Sequence, residues 1–187
     1  MCNNNKLKNN SKMKKSLFMI MAFVLCLVGC RNNNPEPETF PGYYDYEKVM
    51  NEDVMTYRDG VFYESQIIFD TNVMLDSVRV VWIMNVFQKG DTCIQVTHNE
   101  EGETEVVKVT EPWLEDLPVD YTDSVGLSLE GAINVLKSSD ILLDTKYCTL
   151  RRPLYKEIYP HAFYIFGDVK GGVFYGVESE SGEIVKM

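Results

Sequence analysis

Three runs rich in β-branched and aromatic residues follow one another at 78–88 (VRVVWIMNVFQ), 92–98 (TCIQVTH) and 103–109 (ETEVVKV), parted by KGD and NEEG. Runs of this length with glycine-bearing turns between them predict neighbouring antiparallel strands, a meander. A second set, 162–169, 173–179 and 183–187, is joined at KGG and ESG in the same manner. The two sets align with Lys89-Gly90 over Lys170-Gly171 and Gly102-Glu103 over Gly182-Glu183. Two explanations stay open: a duplicated strand-rich unit, or two unrelated meanders that both place glycine at their turns.

The remaining pattern is sparser. Ser128 is placed to cap a helix starting at Leu129, where Leu129, Ala132, Ile133 and Leu136 fall at i, i+3, i+4 and i+7 on one face. Between 43 and 69 the signals conflict, since Val49, Met50, Asp53 and Val54 suit a short helix while Val61, Tyr63, Ile67 and Phe69 alternate like a strand. Pro112 and Pro118 interrupt periodicity in 111–123, which reads as a connector pinned by Trp113. Residues 138–161 read as irregular. The expected fold class is α+β: antiparallel meander sheets with one or two short helices.

The amino-terminal region is of another kind. Lys6, Lys8, Lys12, Lys14 and Lys15 precede the apolar run LFMIMAFVLCLV at 17–28, and no acid occurs before Glu36. Charge and length match a signal peptide, and twelve apolar residues fall short of the roughly 20 that a spanning helix needs. The run closes on Leu27, Val28, Gly29, Cys30, which resembles the lipobox of bacterial lipoproteins. The resemblance implies cleavage before Cys30, lipidation of its thiol and acylation of its freed amine. Two or three chains on one residue, at roughly 0.8 kcal/mol per buried CH₂, would hold the protein to a membrane without a span. The site implied is the cell envelope and the outer membrane, periplasmic or surface-facing.

The domains expected are a signal peptide (1–29), a lipidated cysteine and tether (30–42), an N-terminal strand-rich unit (43–111), a connector (112–123) and a C-terminal unit (124–187). The tether, RNNNPEPETFP after Cys30, is too polar and proline-rich to form a core. Cleavage removes five lysines and no acid, so a net charge of −10 becomes −15 on 158 residues. Such a balance repels nucleic acid and anionic headgroups, which argues against a nucleic-acid partner. Cys93 and Cys148 are then the remaining cysteines, either paired in an oxidising compartment or separately buried as small hydrophobes.

From LSLEGAINVL to YGVESESGEIVKM the chain resembles PepSY-like domains, which set a short helix beside an antiparallel sheet and often close on V-x-x-x-T-G-x-V. That ending appears as Val177 to Val185, with Ser181 where threonine is usual. The resemblance covers about a third of the chain directly. It implies a non-enzymatic binding module whose partner is a protein, such as a peptidase that it restrains, and it brings no catalytic residues. An open sheet edge, such as the last strand, could add a partner strand.

Arg151 and Arg152, followed by Tyr155, Tyr159 and His161, form the candidate partner-binding segment, because Arg and Tyr carry much interface energy. The alternative is that the arginines pair internally with acids such as Asp140 and Asp144. His98 and His161 are the two histidines, and HExxH, CxxC and GxSxG are absent. Neither a metal, a cofactor nor a hydrolytic centre is expected, although Cys148 with His161 would be the pair to inspect for thiol chemistry. The acidic turn at 99–103 lacks the spacing of a calcium loop. Oligomeric state is not legible. The rival functional reading is a small-ligand or glycan-binding lipoprotein that uses exposed tyrosines, and an unrecognised hydrolase is the least favoured.

Overall fold

The computed structural model describes residues 43–187, apart from 112, 114–116, 155–157 and 169–171. Cys30, the 31–42 tether and Tyr155 therefore lie outside the described residues. The elements run α1 (Tyr46–Thr56), β1 (Val61–Phe69), β2 (Val80–Lys89), β3 (Thr92–His98), β4 (Thr104–Val109), α2 (Tyr121–Ser124), α3 (Leu129–Lys137), β5 (Tyr147–Arg151), β6 (Phe163–Asp168), β7 (Val173–Glu178) and β8 (Ile184–Lys186). All eight strands join one sheet in the order β4-β3-β2-β1-β5-β6-β7-β8, with every neighbour antiparallel. The α+β class with antiparallel meanders and short helices is thus the observed one.

Each half repeats one order, a helix followed by a four-stranded meander, and the halves fuse where β1 pairs with β5. The two meanders are therefore one continuous sheet within a single compact unit. Gly102 and Gly182 hold equivalent places, each two residues before an edge strand and each left-handed, at φ 81° and 75°. At such φ a Cβ would be strained, so glycine is what these turns require.

Ser128 caps α3 as the sequence suggests, its Oγ accepting from the Gly131 amide at 3.0 Å, and the four apolar residues of that face are all buried. A second contact at this helix start was not foreseen: Glu47 of α1 accepts from the Leu129 amide at 2.8 Å. A carboxylate at a helix N-terminus satisfies a free amide and complements the dipole. It also ties the two halves together.

β5 lies inside the stretch expected to be irregular, and it is central. Its Cys148 and Leu150 are buried while Tyr147 is half-exposed. Five residues are too few for a period-two pattern to stand out locally. Pairing with β1 and β6 supplies the stability that local propensity does not.

Cross-strand partners share a face. The row Val96, Asn85, Ser65, Leu150, Tyr164, Val177 and the row Ile83, Ile67, Cys148, Phe166 therefore point one way, and both rows are buried. α1 and α3 cover this face, with Met50 and Leu136 among its fully buried side chains. A polar link sits in it: Asn85 Nδ2 donates to Asp53 Oδ2 at 2.7 Å, and His98 Nε2 lies 2.9 Å from the same oxygen. A carboxylate there answers the buried Asn85 amide and the part-buried His98 ring, and fastens α1 to β2 and β3.

Candidate functional site

The opposite face has no helix among the described residues. Its row Trp82, Ile68, Tyr147 and its row Met84, Gln66, Thr149, Ile165, Gly176 run across β2, β1, β5 and the C-terminal strands. Tyr147 is 51% exposed and Phe174 47%, while Trp82, Met84, Ile68 and Ile165 are partly buried. Beside them the loop after β5 raises Leu154 and Ile158, 65% and 67% exposed. Apolar residues in such a concentration are uncommon on a surface that only faces water.

On this face a groove of about 620 Å³ is walled by Leu154, Ile158, Ile165, Phe174 and Met187, with Glu64, Thr149, Arg151 and Tyr159 also lining it. Glycine shapes it. A Cβ on Gly167 would come within 2.6 Å of the Phe174 ring, so the bare backbone is what lets that ring lie across the strand.

Glu64 stands at the groove base, only 3% exposed, and its partners explain how a carboxylate survives there. Arg151 Nη1 donates to Oε2 at 3.2 Å and Trp113 Nε1 at 3.3 Å, while Gln66 Nε2 donates to Oε1 at 2.7 Å. Trp113 thereby pins the connector to the sheet, as expected, and its amide also donates to Gln88 Oε1 at 3.3 Å. Arg151 does pair internally, but with Glu64 rather than with Asp140 or Asp144. Asp144 instead accepts from Asn72 Nδ2 at 3.0 Å.

The candidate segment does not form one patch. β5 ends at Arg151, so Arg152 is the first residue of the loop that follows. Arg151 and Tyr159 line the groove on the uncovered face, whereas Arg152 and His161 line a different cavity, of about 540 Å³, at the end of the helix-covered side. His161 is half-exposed, with Nε2 3.9 Å from Glu178 Oε1 and Nδ1 3.6 Å from Glu180 Oε2. Tyr159 stacks edge-on against Phe163, ring centroids 5.6 Å apart. The residues missed by sequence reading are Tyr147, Phe174, Leu154 and Ile158. Their signal, an apolar residue on the strand face opposite the core row, appears only once the register is known.

Cys93 and Cys148 are both free and buried, which is the second of the two readings, separate burial as small hydrophobes. The reason is the register: Cys148 pairs with Ile67 on the covered face and Cys93 with Gln88 on the other. β1 and β2 also lie between their strands, which at about 4.8 Å per strand exceeds the roughly 7 Å reach of a disulfide. Burial pushes both thiols up, Cys148 well above the ordinary range. A protonated, enclosed thiol is a poor nucleophile. Cys148 packs in the apolar core, while the charged groups near His161 are Glu178 and Glu180.

No group of three or more potential ligand side chains capable of holding a metal ion occurs among the described residues, and no helix among them is long and apolar enough to cross a membrane. No family model matches the chain. No curated protein matches it either. Among solved structures, a protein from Clostridium difficile 630, provisionally named a lipoprotein, aligns over 83% of this chain and 100% of its own at 16% identity and a TM-score of 0.46.

Proposed function

We propose that this chain is a non-catalytic lipoprotein of the cell envelope whose folded part binds another protein through the uncovered face of its sheet. The observation that carries the reading is that face: half-exposed Tyr147 and Phe174, exposed Leu154 and Ile158, and a groove among them. Aromatic anchors seated around a groove, with an arginine held in place beside them, have the composition of an interface centre. The helix-then-meander order of the C-terminal half agrees with the PepSY-like resemblance, and a peptidase is the partner class that the resemblance implies. Lipid on Cys30 would hold the module at the outer membrane, with the polar 31–41 stretch as spacer.

Two experiments test the two parts. Cys30→Ala should leave the protein unprocessed or released from the membrane fraction; a variant still processed and lipid-labelled sinks the anchor. For binding, Tyr147→Asp/Phe174→Asp in the full-length protein should still fold, because both side chains are about half exposed and lie outside the helix-covered core. It should lose the envelope partner that wild type captures. An identical partner set from both proteins would dismiss the uncovered face as the docking surface.

A further inference from the structure

The cavity of about 540 Å³ at the end of the covered face has a chemistry unlike the rest of the molecule. Its floor is aromatic: Tyr57 lies against Phe87 with centroids 5.2 Å apart, and Tyr121 stands edge-on to Phe62 at 5.9 Å. The Val119 amide donates to the Phe62 carbonyl at 2.8 Å, so the connector wall is fixed to β1. Two guanidinium groups, Arg58 and Arg152, also line the space.

Neither arginine has an ion-pair partner among the described residues, and Arg152 Nε is buried without a hydrogen-bond acceptor. The contrast with Arg151 is direct, since that neighbour is satisfied by Glu64. Asp120 is on the same wall and accepts from the Thr122 hydroxyl at 2.9 Å. His161 is there too, facing Glu178 and Glu180. Two guanidinium groups at one cavity, neither with a carboxylate at ion-pair distance among the described residues, are positive charge that a bound anion would answer.

We propose that this cavity is a second binding site, separate from the uncovered face, and that it takes an organic carboxylate with an aromatic or similarly flat apolar body. The fork of Arg152, joined by Arg58, receives the carboxylate, and the body lies on the Phe62, Phe87, Tyr57 and Tyr121 rings. Guanidinium matches a carboxylate in plane and in charge. The volume is that of a small-molecule site. A free acid and the carboxy-terminal residue of a peptide offer the same chemistry.

The test uses the full-length protein in neutral detergent, with calorimetric titration. The probes are 3-phenylpropionate for a free acid and glycyl-phenylalanine for a chain end, each against its own amide. The chain carries a net charge of −10, so its overall field works against acids, and any preference for them must come from local groups. At least one acid should bind tenfold or more tighter than its amide, and Arg152→Gln should erase that preference. Arg58→Gln, at an exposed position, should weaken it several-fold and serves where the Arg152 substitution prevents folding. Equal binding of both acids and their amides overturns the proposal, as does a preference that survives both substitutions. Binding of the envelope partner is a separate readout, so loss of either reading leaves the other standing.

Discussion

The same eight strands present two faces, and the faces differ in what they ask of a side chain. The covered one is closed by α1 and α3, and its Ile67, Ile83, Leu150 and Phe166 are at most 1% exposed. The uncovered one carries residues of similar size and polarity, yet Tyr147 and Phe174 stand about half in water. What separates them is only which neighbours lie above. Period-two alternation lets one strand serve stability on one side and recognition on the other, so a substitution one residue along changes which of the two is damaged.

The largest effect should come from the covered face. Leu136→Ala removes a side chain with no exposure from the interior face of α3 and should cost about 2–5 kcal/mol in urea unfolding. Folded protein should still capture the partner. A loss well under 1 kcal/mol would mean that α3 is not closing a packed core there.

Arg151 sharpens the boundary because it lies on the uncovered face and yet should behave as a core residue. Arg151→Ala leaves Glu64, 4% exposed at its side chain, without its cation, at a cost of about 3 kcal/mol; partial exposure of the arginine, 22%, argues for the low end of the usual range. Adding Glu64→Gln should recover part of the loss, since a neutral amide is cheaper to bury than an unpaired charge. Denaturation of the four proteins in a double-mutant cycle measures the coupling. If Arg151→Ala and Glu64→Gln simply add, the pair is surface decoration and the groove base is wetter than it looks.

These examples also show why some of the fold was legible in the sequence and some was not. β3 was read to its ends, and the buried face and cap of α3 were read correctly, because local periodicity and a single serine carry that information. β5 was not read, since YCTLR becomes a strand through partners about eighty positions earlier in the chain. Arg151 and Arg152 looked like one patch because adjacency in sequence is visible whereas the end of an unrecognised strand between them is not. Glu64 looked like one more acid in an acidic chain. Its role depends on Trp113 and Arg151 reaching it from 49 and 87 residues away.

The smallest effect concerns the polar tips that the covered face encloses. Tyr164 donates to the Leu127 carbonyl at 3.0 Å, and burial pushes its phenol, like those of Tyr46 and Tyr121, above the ordinary tyrosine range; Tyr121 is pushed up to about 12. The Cys148 thiol moves the same way from the same cause. Folded protein therefore holds these protons after the unfolded chain has released them. Stability from this source is complete below the ordinary values of 9.0 for the thiol and 10.0 for the phenols, and it falls as pH rises toward about 12. The urea midpoint should be level near neutrality and decline above about pH 9, where the unfolded thiol and then the phenols begin to ionise. Tyr164→Phe should cost about 1 kcal/mol at neutral pH through the lost hydrogen bond, yet decline less steeply in alkali, so that its curve approaches wild type. Parallel curves would mean that the Tyr164 hydroxyl reaches water, and that the covered face is less closed over β6 than over the strands beside it.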